Sequence, residues 1–337
     1  MTQSHIPSRR RCLQLAAATL ASASGLPWAR AQGASAPSEL ARIVVGPPPG
    51  TLVDLFARRV AEAIAPGYAR TVLVENKVGA ASQIAVSTVK AAAPDGNTIL
   101  MTPMPMMGIF PHTYAKLPYD PVADFVPVSM GGVFDLAFAV GPLVPASVTT
   151  MADFFKWCKQ NPGAANFGSP AAGSTPHFAG GMAARSAGAE LTHVPFRGTL
   201  PAIQDMVGGQ IAAVCAPLGD FLPFVAGGKC RLLATTGEKR SRFAPTVATF
   251  VEQGFKEVVL DDWFGFFLPV NTPAARVDAL NAALKSALGN PALVKAMEER
   301  GLELRWTSSA DLGARLKADI EKWRPIVKSF NFTATTT

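Results

Sequence analysis

Two short stretches carry most of the chemistry this chain could do. The first, "GPPPGTLVD" (Gly46 to Asp54), interrupts an apolar run and leads straight into the helical pattern "LFARRVAEAIA". Proline has no N–H to donate but fixes φ and stiffens a turn, so Pro47, Pro48 and Pro49 make a rigid corner. Gly50 allows a sharp bend and close approach of another group to the backbone. The amides of Gly50, Thr51 and Leu52 then stand at a helix N-terminus, where partial positive charge suits an anion. Asp54, in the first turn, is expected to hold the loop or a water rather than to touch an anion. The second stretch, "FGSPAAGSTPHFAGG" (Phe167 to Gly181), has the same form. A strand ends at Ser169, small residues such as Ala171 and Gly173 fill the loop, and Ser174 or Thr175 caps a helix starting near His177. A third turn, "VPFRGTL", adds Arg197 and Thr199, with Arg197 as the fixed positive charge for an acid ligand. Each has a plainer reading: a Pro-rich strand end, a simple helix cap and a surface arginine.

Catalytic and metal chemistry find no comparable pattern. "GSPAAG" is not a G-x-S-x-G nucleophile elbow, and a proline follows Ser169 directly. His112, His177 and His193 have no partner at ligand spacing, so neither a metal nor a cofactor is expected. No phosphate-binding glycine motif follows a strand. "MTPMPMMG" (Met101 to Gly108) reads as core or cleft lining.

The elements around these loops alternate. "RIVVG", "RTVLVENK" and "NTILMTP" read as strands separated by helices at Thr51–Ala65 and Gln83–Ala93. Residues 108–130 read as a long, partly irregular connection, followed by the strand "DLAFAVGP". A second set follows: helix 150–161, strand "ANFGS", helix 177–187, strand "LTHVPF", helix 201–208, strands "IAAVCAP" and "CRLLATT" around a helix near 220–226, then "DDWFGFFLP". Helices at 273–288 and 291–300 and an amphipathic run from Ser309 to Phe330 finish the chain, with a loose tail "NFTATTT". Alternation at this spacing predicts an α/β fold with mainly parallel sheets flanked by helices. The predicted organisation is two lobes: 40–138 with 265–330, and 139–264, with crossings near 136–142 and 258–268.

The 337 residues, 49% apolar and 16% charged, suffice for two such units. The formal charge of +7 is partly local, because residues 1–31 hold Arg9, Arg10, Arg11 and Arg30 and no acid. No Lys/Arg run interleaved with aromatics follows, which argues against a nucleic-acid partner. "SRRR", a short apolar stretch and "ARA" at 29–31 read as an export signal cleaved after Ala31, with a twin-arginine flavour in "SRRRCLQ". A soluble periplasmic protein is expected. Cys158, Cys215 and Cys230 show no framework spacing and are expected as packed thiols, with a Cys215–Cys230 bridge as the alternative.

The sequence resembles the Bug-type (Bordetella uptake gene) periplasmic solute receptors of tripartite tricarboxylate transporters. The matching pieces run from "GPPPGTLVD", "VLVENKVGAAS" and "FPHTYAKLPYDPVADFVPV" through "NFGSPAAGSTPHFAGG" and "THVPFRGTLPAIQDMVGGQI" to "EKWRPIVK". The resemblance implies a two-lobed, type II periplasmic-binding-protein-like fold that closes on a small carboxylate and delivers it to large and small membrane subunits. A monomer is expected. An output through a sensor, or an exported hydrolase, are the alternatives. Carried onto this chain, one wall is Pro48, Pro49, Gly50 and Thr51 with Asp54. The facing wall is Ser169, Ala171, Gly173, Ser174 and Thr175 with His177. Thr102, Pro103 and the Arg197–Thr199 turn line the rest. Departures at Thr51, Pro170, Ala171 and Cys215 imply an apolar far side, with Phe196, Met104, Met106 and Trp263 as liners and an aromatic or alicyclic acid as the better fit.

Overall fold

The computed structural model describes residues 38–334. The export-signal reading falls on 1–31 and lies outside them. Strand β1 (Ser38–Val45) ends where the three prolines begin, since none can extend a ladder. Helix α1 (Leu52–Tyr68) follows, capped by the Thr51 hydroxyl, which accepts from the Asp54 amide. Strand β2 (Ala69–Asn76) lies parallel to β1, and helix α2 (Gln83–Lys90) leads to β3 (Thr98–Pro103) on the other side of β1. A short helix, α3 (Met104–Gly108), precedes the stretch read as irregular, which holds a second short helix, α4 (Phe110–Thr113), and the start of the long strand β4 (Phe125–Phe134).

Strand β5 (Leu136–Val140) then joins a different sheet. Helix α5 (Met151–Gln160) starts from a capping box of Thr150 and Asp153, a reciprocal satisfaction of backbone donors. The second set continues with β6 (Asn166–Ser169), α6 (Thr175–Ser186), β7 (Thr192–Pro195), α7 (Thr199–Val207), β8 (Ala213–Pro217), α8 (Leu218–Ala226) and β9 (Arg231–Thr235). Strand β10 (Asp262–Pro269) returns to the first sheet, followed by α9 (Ala274–Leu288), α10 (Pro291–Glu298), β11 (Glu303–Leu304) and α11 (Ser309–Phe330).

The first sheet has the order β11-β4-β10-β3-β1-β2 and the second β7-β6-β8-β5-β9. Both are mixed rather than mainly parallel. The βαβ portions pair in parallel, whereas β10 is antiparallel to β3 and β4, and β5 is antiparallel to β8 and β9. A strand that arrives from the other sheet instead of through a helical crossover is free to enter from the opposite end. Sheet membership changes between Phe134 and Leu136 and again before Asp262.

Apolar side chains fill the space between sheets and helices. Phe56 packs on Phe264 and Phe266, and Phe138 lies at the centre of Phe154, Phe167 and Phe250. The three described cysteines are free and buried, so Cys215 and Cys230 are packed thiols. The tail is not loose as far as Ala334. The Ala334 amide donates to the Thr113 carbonyl at 2.7 Å, and the Phe332 ring stands edge-on to His177 at 4.8 Å.

Candidate functional site

A cavity of about 420 Å³ lies where the C-terminal ends of β1, β3 and β6 face each other. That is the position at which α/β sheets bind ligands, and the volume suits a small organic molecule. Its walls come from both sheets: Pro48, Thr51, Pro103 and Phe264 on one side, Ala171, Ser174, Phe196 and Thr199 on the other.

The first loop is held from within. The Gly50 amide donates to Asp54 Oδ2 at 2.9 Å, and Asn76 Nδ2 bridges Asp54 Oδ1 and the Pro47 carbonyl. Burial alone would raise the Asp54 pKa, but hydrogen bonds from Arg58, Gly50 and Asn76 outweigh it and hold the carboxylate below its usual range. Asp54 therefore braces the loop and does not line the cavity. Gly50, with φ +84°, supplies the left-handed bend expected of it. Its amide, however, does not point outward, and neither does that of Leu52, which donates to Asp220 Oδ1 at 2.9 Å. Asp220 sits in the first turn of α8 and reaches across from the second sheet's elements. Burial pushes its pKa up to about 6, against the Leu52 amide, the Thr199 hydroxyl and Arg300, which favour the charged form. This acid lines the cavity and occupies the dipole of α1.

The second loop is satisfied without charge. Ser169 Oγ donates to the Ala171 carbonyl at 3.0 Å and shares a hydrogen bond with His193 Nε2 at 2.7 Å; Ser174 Oγ also donates to the Ala171 carbonyl. The Gly173 amide donates to His177 Nδ1 at 3.1 Å. Ser174 occupies the N-cap position of α6, but its hydroxyl is turned into the loop and caps none of the helix amides. The His177 and His193 rings stack at 3.8 Å. Burial lowers the His177 pKa to about 4, and burial with the neighbouring His177 lowers that of His193 to about 3, so both are neutral. Asp262, at the return crossing, lines the same cavity next to Thr175. Burial raises its pKa to about 8, opposed by the Thr175 hydroxyl and the Trp263 amide and reinforced by Asp261 and Asp319.

The third turn ties the walls together. The Phe196 amide donates to Ser169 O and that of Gly198 to Pro170 O, while a Cβ on Gly198 would come within 2.9 Å of Pro48 Cδ. Arg197 is exposed, lines the cavity and makes no salt bridge among the described residues. It is the sole arginine or lysine of the lining.

Of the residues expected from the sequence, Pro48, Thr51, Pro103, Ala171, Ser174, Arg197 and Thr199 line the cavity. Pro49, Gly50, Asp54, Thr102, Ser169, Gly173, Thr175 and His177 stand behind it. Thr102 is turned away in its strand opposite Gly265, and Ser169 and His177 are used inside their loop. Phe196 and Met106 are liners, but Met104 and Trp263 are core residues; the Trp263 indole donates to Asp319 Oδ2 at 2.8 Å. Phe264 takes the place expected of Trp263, because adjacent strand residues face opposite sides.

Sequence reasoning missed His193, Asp220, Asp262, Tyr114 and the segment 78–83, all of which line the cavity. "THVPFRG" and "VENKVGAAS" held two of these, but their partners are distant in the chain. The segment at 78–83 is unusual: Ala80, Ala81 and Ser82 have φ of 45°, 51° and 70°. Non-glycine residues in this region each cost roughly 1–2 kcal/mol. Gly46 makes the approach possible, since a Cβ there would collide with Ser82.

Comparison with known proteins places this architecture. Residues 56–332 match the model of the tripartite tricarboxylate transporter family receptor (TctC). A Cupriavidus necator protein encoded in the gbd 5′ region is 31% identical over 93% of this chain and 94% of its own. Among solved structures, the periplasmic binding protein BugD is 27% identical with a TM-score of 0.83, covering 89% of this chain and all of that one. A Rhodopseudomonas palustris protein with adipate matches at 27% and 0.83 over 87% and 98% of the two chains. MatC of the same species, with bound malate, matches at 26% and 0.79 over 86% and 98%. With its two-lobed α/β fold and the family model spanning most of its length, the chain belongs to the TctC receptors of tripartite tricarboxylate transporters, as a Bug-type member.

Proposed function

We propose that this protein is a periplasmic receptor that binds a small carboxylate with an apolar body and delivers it to the membrane subunits of a tripartite transporter. The observation that carries the reading is the cavity between the two strand-to-helix loops, with Arg197 as the single arginine or lysine of its lining. Supporting it, the adipate- and malate-bound relatives are acid binders of the same fold. The lobes would be 40–138 with 265–330 and 139–264, with the sheet changes at Asp135 and Asp262 as switch points. The carboxylate is held at the second wall. There Ser174, the N-cap residue of α6, lines the cavity at a helix start with no side-chain cap, and Arg197 stands on a turn bonded to the same loop. Met106, Phe196 and Phe264 take the apolar body.

A thermal-shift screen of the protein from Gln32 onward, against mono-, di- and tricarboxylates and aromatic acids, tests this. A ligand at ~100 times its Kd stabilises by about 2.7 kcal/mol. A shift confined to carboxylates, and reduced by Arg197→Ala, is the expected result. No shift with any acid would overturn it.

A further inference from the structure

One buried side chain in the cavity wall is polar at both ends of its amide. Gln83 begins α2, is 2% exposed and lines the cavity, yet neither Nε2 nor Oε1 has a hydrogen-bond partner among the described residues. The Tyr114 hydroxyl, also in the lining, neighbours the carboxamide. A buried amide with both ends unpaired destabilises the fold more than an apolar side chain of the same shape would. The approach to Gln83 is itself costly, through three consecutive left-handed residues. Strain and unpaired polarity meet at one residue of the cavity lining.

We propose that Gln83, with Tyr114 beside it, is a specificity-determining contact that reads a neutral donor–acceptor group on the ligand, a carboxamide or a hydroxyl. This deepens the receptor reading and rests on it. A carboxamide offers one acceptor and two donors, so its complement must both give and receive hydrogen bonds. An ionised second carboxylate offers acceptors alone. It would satisfy Nε2 and leave Oε1 facing an anion. The rest of the lining points the same way, because Arg197 is its single arginine or lysine. One ligand carboxylate can be balanced there, and a second adds uncompensated negative charge. The ligand class is therefore a monoanionic acid carrying an amide or hydroxyl.

Calorimetric titration of the protein from Gln32 onward tests this with matched series of four to eight carbons: the unsubstituted monocarboxylate, the ω-hydroxy acid, the ω-amide and the dicarboxylate. At the best-fitting length the amide or hydroxy acid is expected to bind about 10–100-fold tighter than either the plain acid or the diacid. Gln83→Met, similar in volume, should abolish that preference and raise the ligand-free Tm. Diacids binding tightest, or an unchanged ranking in Gln83→Met, would overturn the proposal while leaving the receptor reading intact. Failure of every acid to bind would overturn both.

Discussion

The two loops that face each other across the cavity are alike in sequence form and opposite in how their helix ends are satisfied. At the first, α1 has a hydroxyl cap from Thr51, and two acid side chains are tied to its neighbouring amides, Asp54 on Gly50 and Asp220 on Leu52. At the second, the hydroxyls turn inward to the Ala171 carbonyl, the histidines are neutral, and α6 starts with no side-chain cap. An incoming anion would compete with Asp220 at the first end and meets no rival at the second. A strand–loop–helix pattern therefore marks two candidate cradles, and the tertiary partners decide which one is open.

The largest expected effect concerns the acid beside the open end. With burial pushing its folded pKa up to about 8, well above the ordinary carboxylate range, Asp262 stays protonated at neutral pH, and its contribution to stability is lost as pH rises from about 4 through 8. Asp262→Asn should flatten that loss and stabilise the protein at pH 8 by on the order of a few kcal/mol, measured by urea unfolding at pH 5 and pH 8. Next comes Arg197→Ala. A charge-assisted hydrogen bond contributes roughly 1.5–3 kcal/mol, so carboxylate affinity should fall by about 10–100-fold in calorimetry, with Tm nearly unchanged because the side chain is exposed.

Asp220 supplies a smaller, pH-dependent effect. Ionising it between pH 5 and 7 adds a negative charge to the wall, so carboxylate affinity should decline several-fold over that interval, about 1 kcal/mol. Asp220→Asn, whose carbonyl oxygen can still accept from Leu52, should remove the decline; an identical pH profile in the variant would break the comparison. The smallest effect is assigned to the cap of the closed end. Thr51→Val should cost about 1 kcal/mol of stability in urea unfolding and leave affinity within twofold.

Much of this molecule is legible along the chain. The amphipathic run from Ser309 to Phe330 is a helix of those bounds, because its apolar spacing and the Ser308 cap are local signals. Strand–helix alternation gave both sheets their members in outline, and three prolines marked the first loop. Strand direction at β5 and β10 was not legible, since it depends on where the chain switches sheets. Nor was the fate of the loop amides: Asp220 lies 168 residues from Leu52, and no pattern near "GTLVD" announces it. Gln83 was hidden for a related reason. An "SQ" at a helix start reads as ordinary, and only the fold reveals that its amide is buried and unpartnered.

The most direct test of the contrast between the two ends is a crystal structure of the protein with a bound acid identified by the screen. The account predicts the ligand carboxylate within hydrogen-bond distance of the Ser174 amide at the start of α6 and of Arg197, with Asp220 still accepting from Leu52. A carboxylate seated on Leu52 in place of Asp220, or one bound outside the cavity, would contradict it.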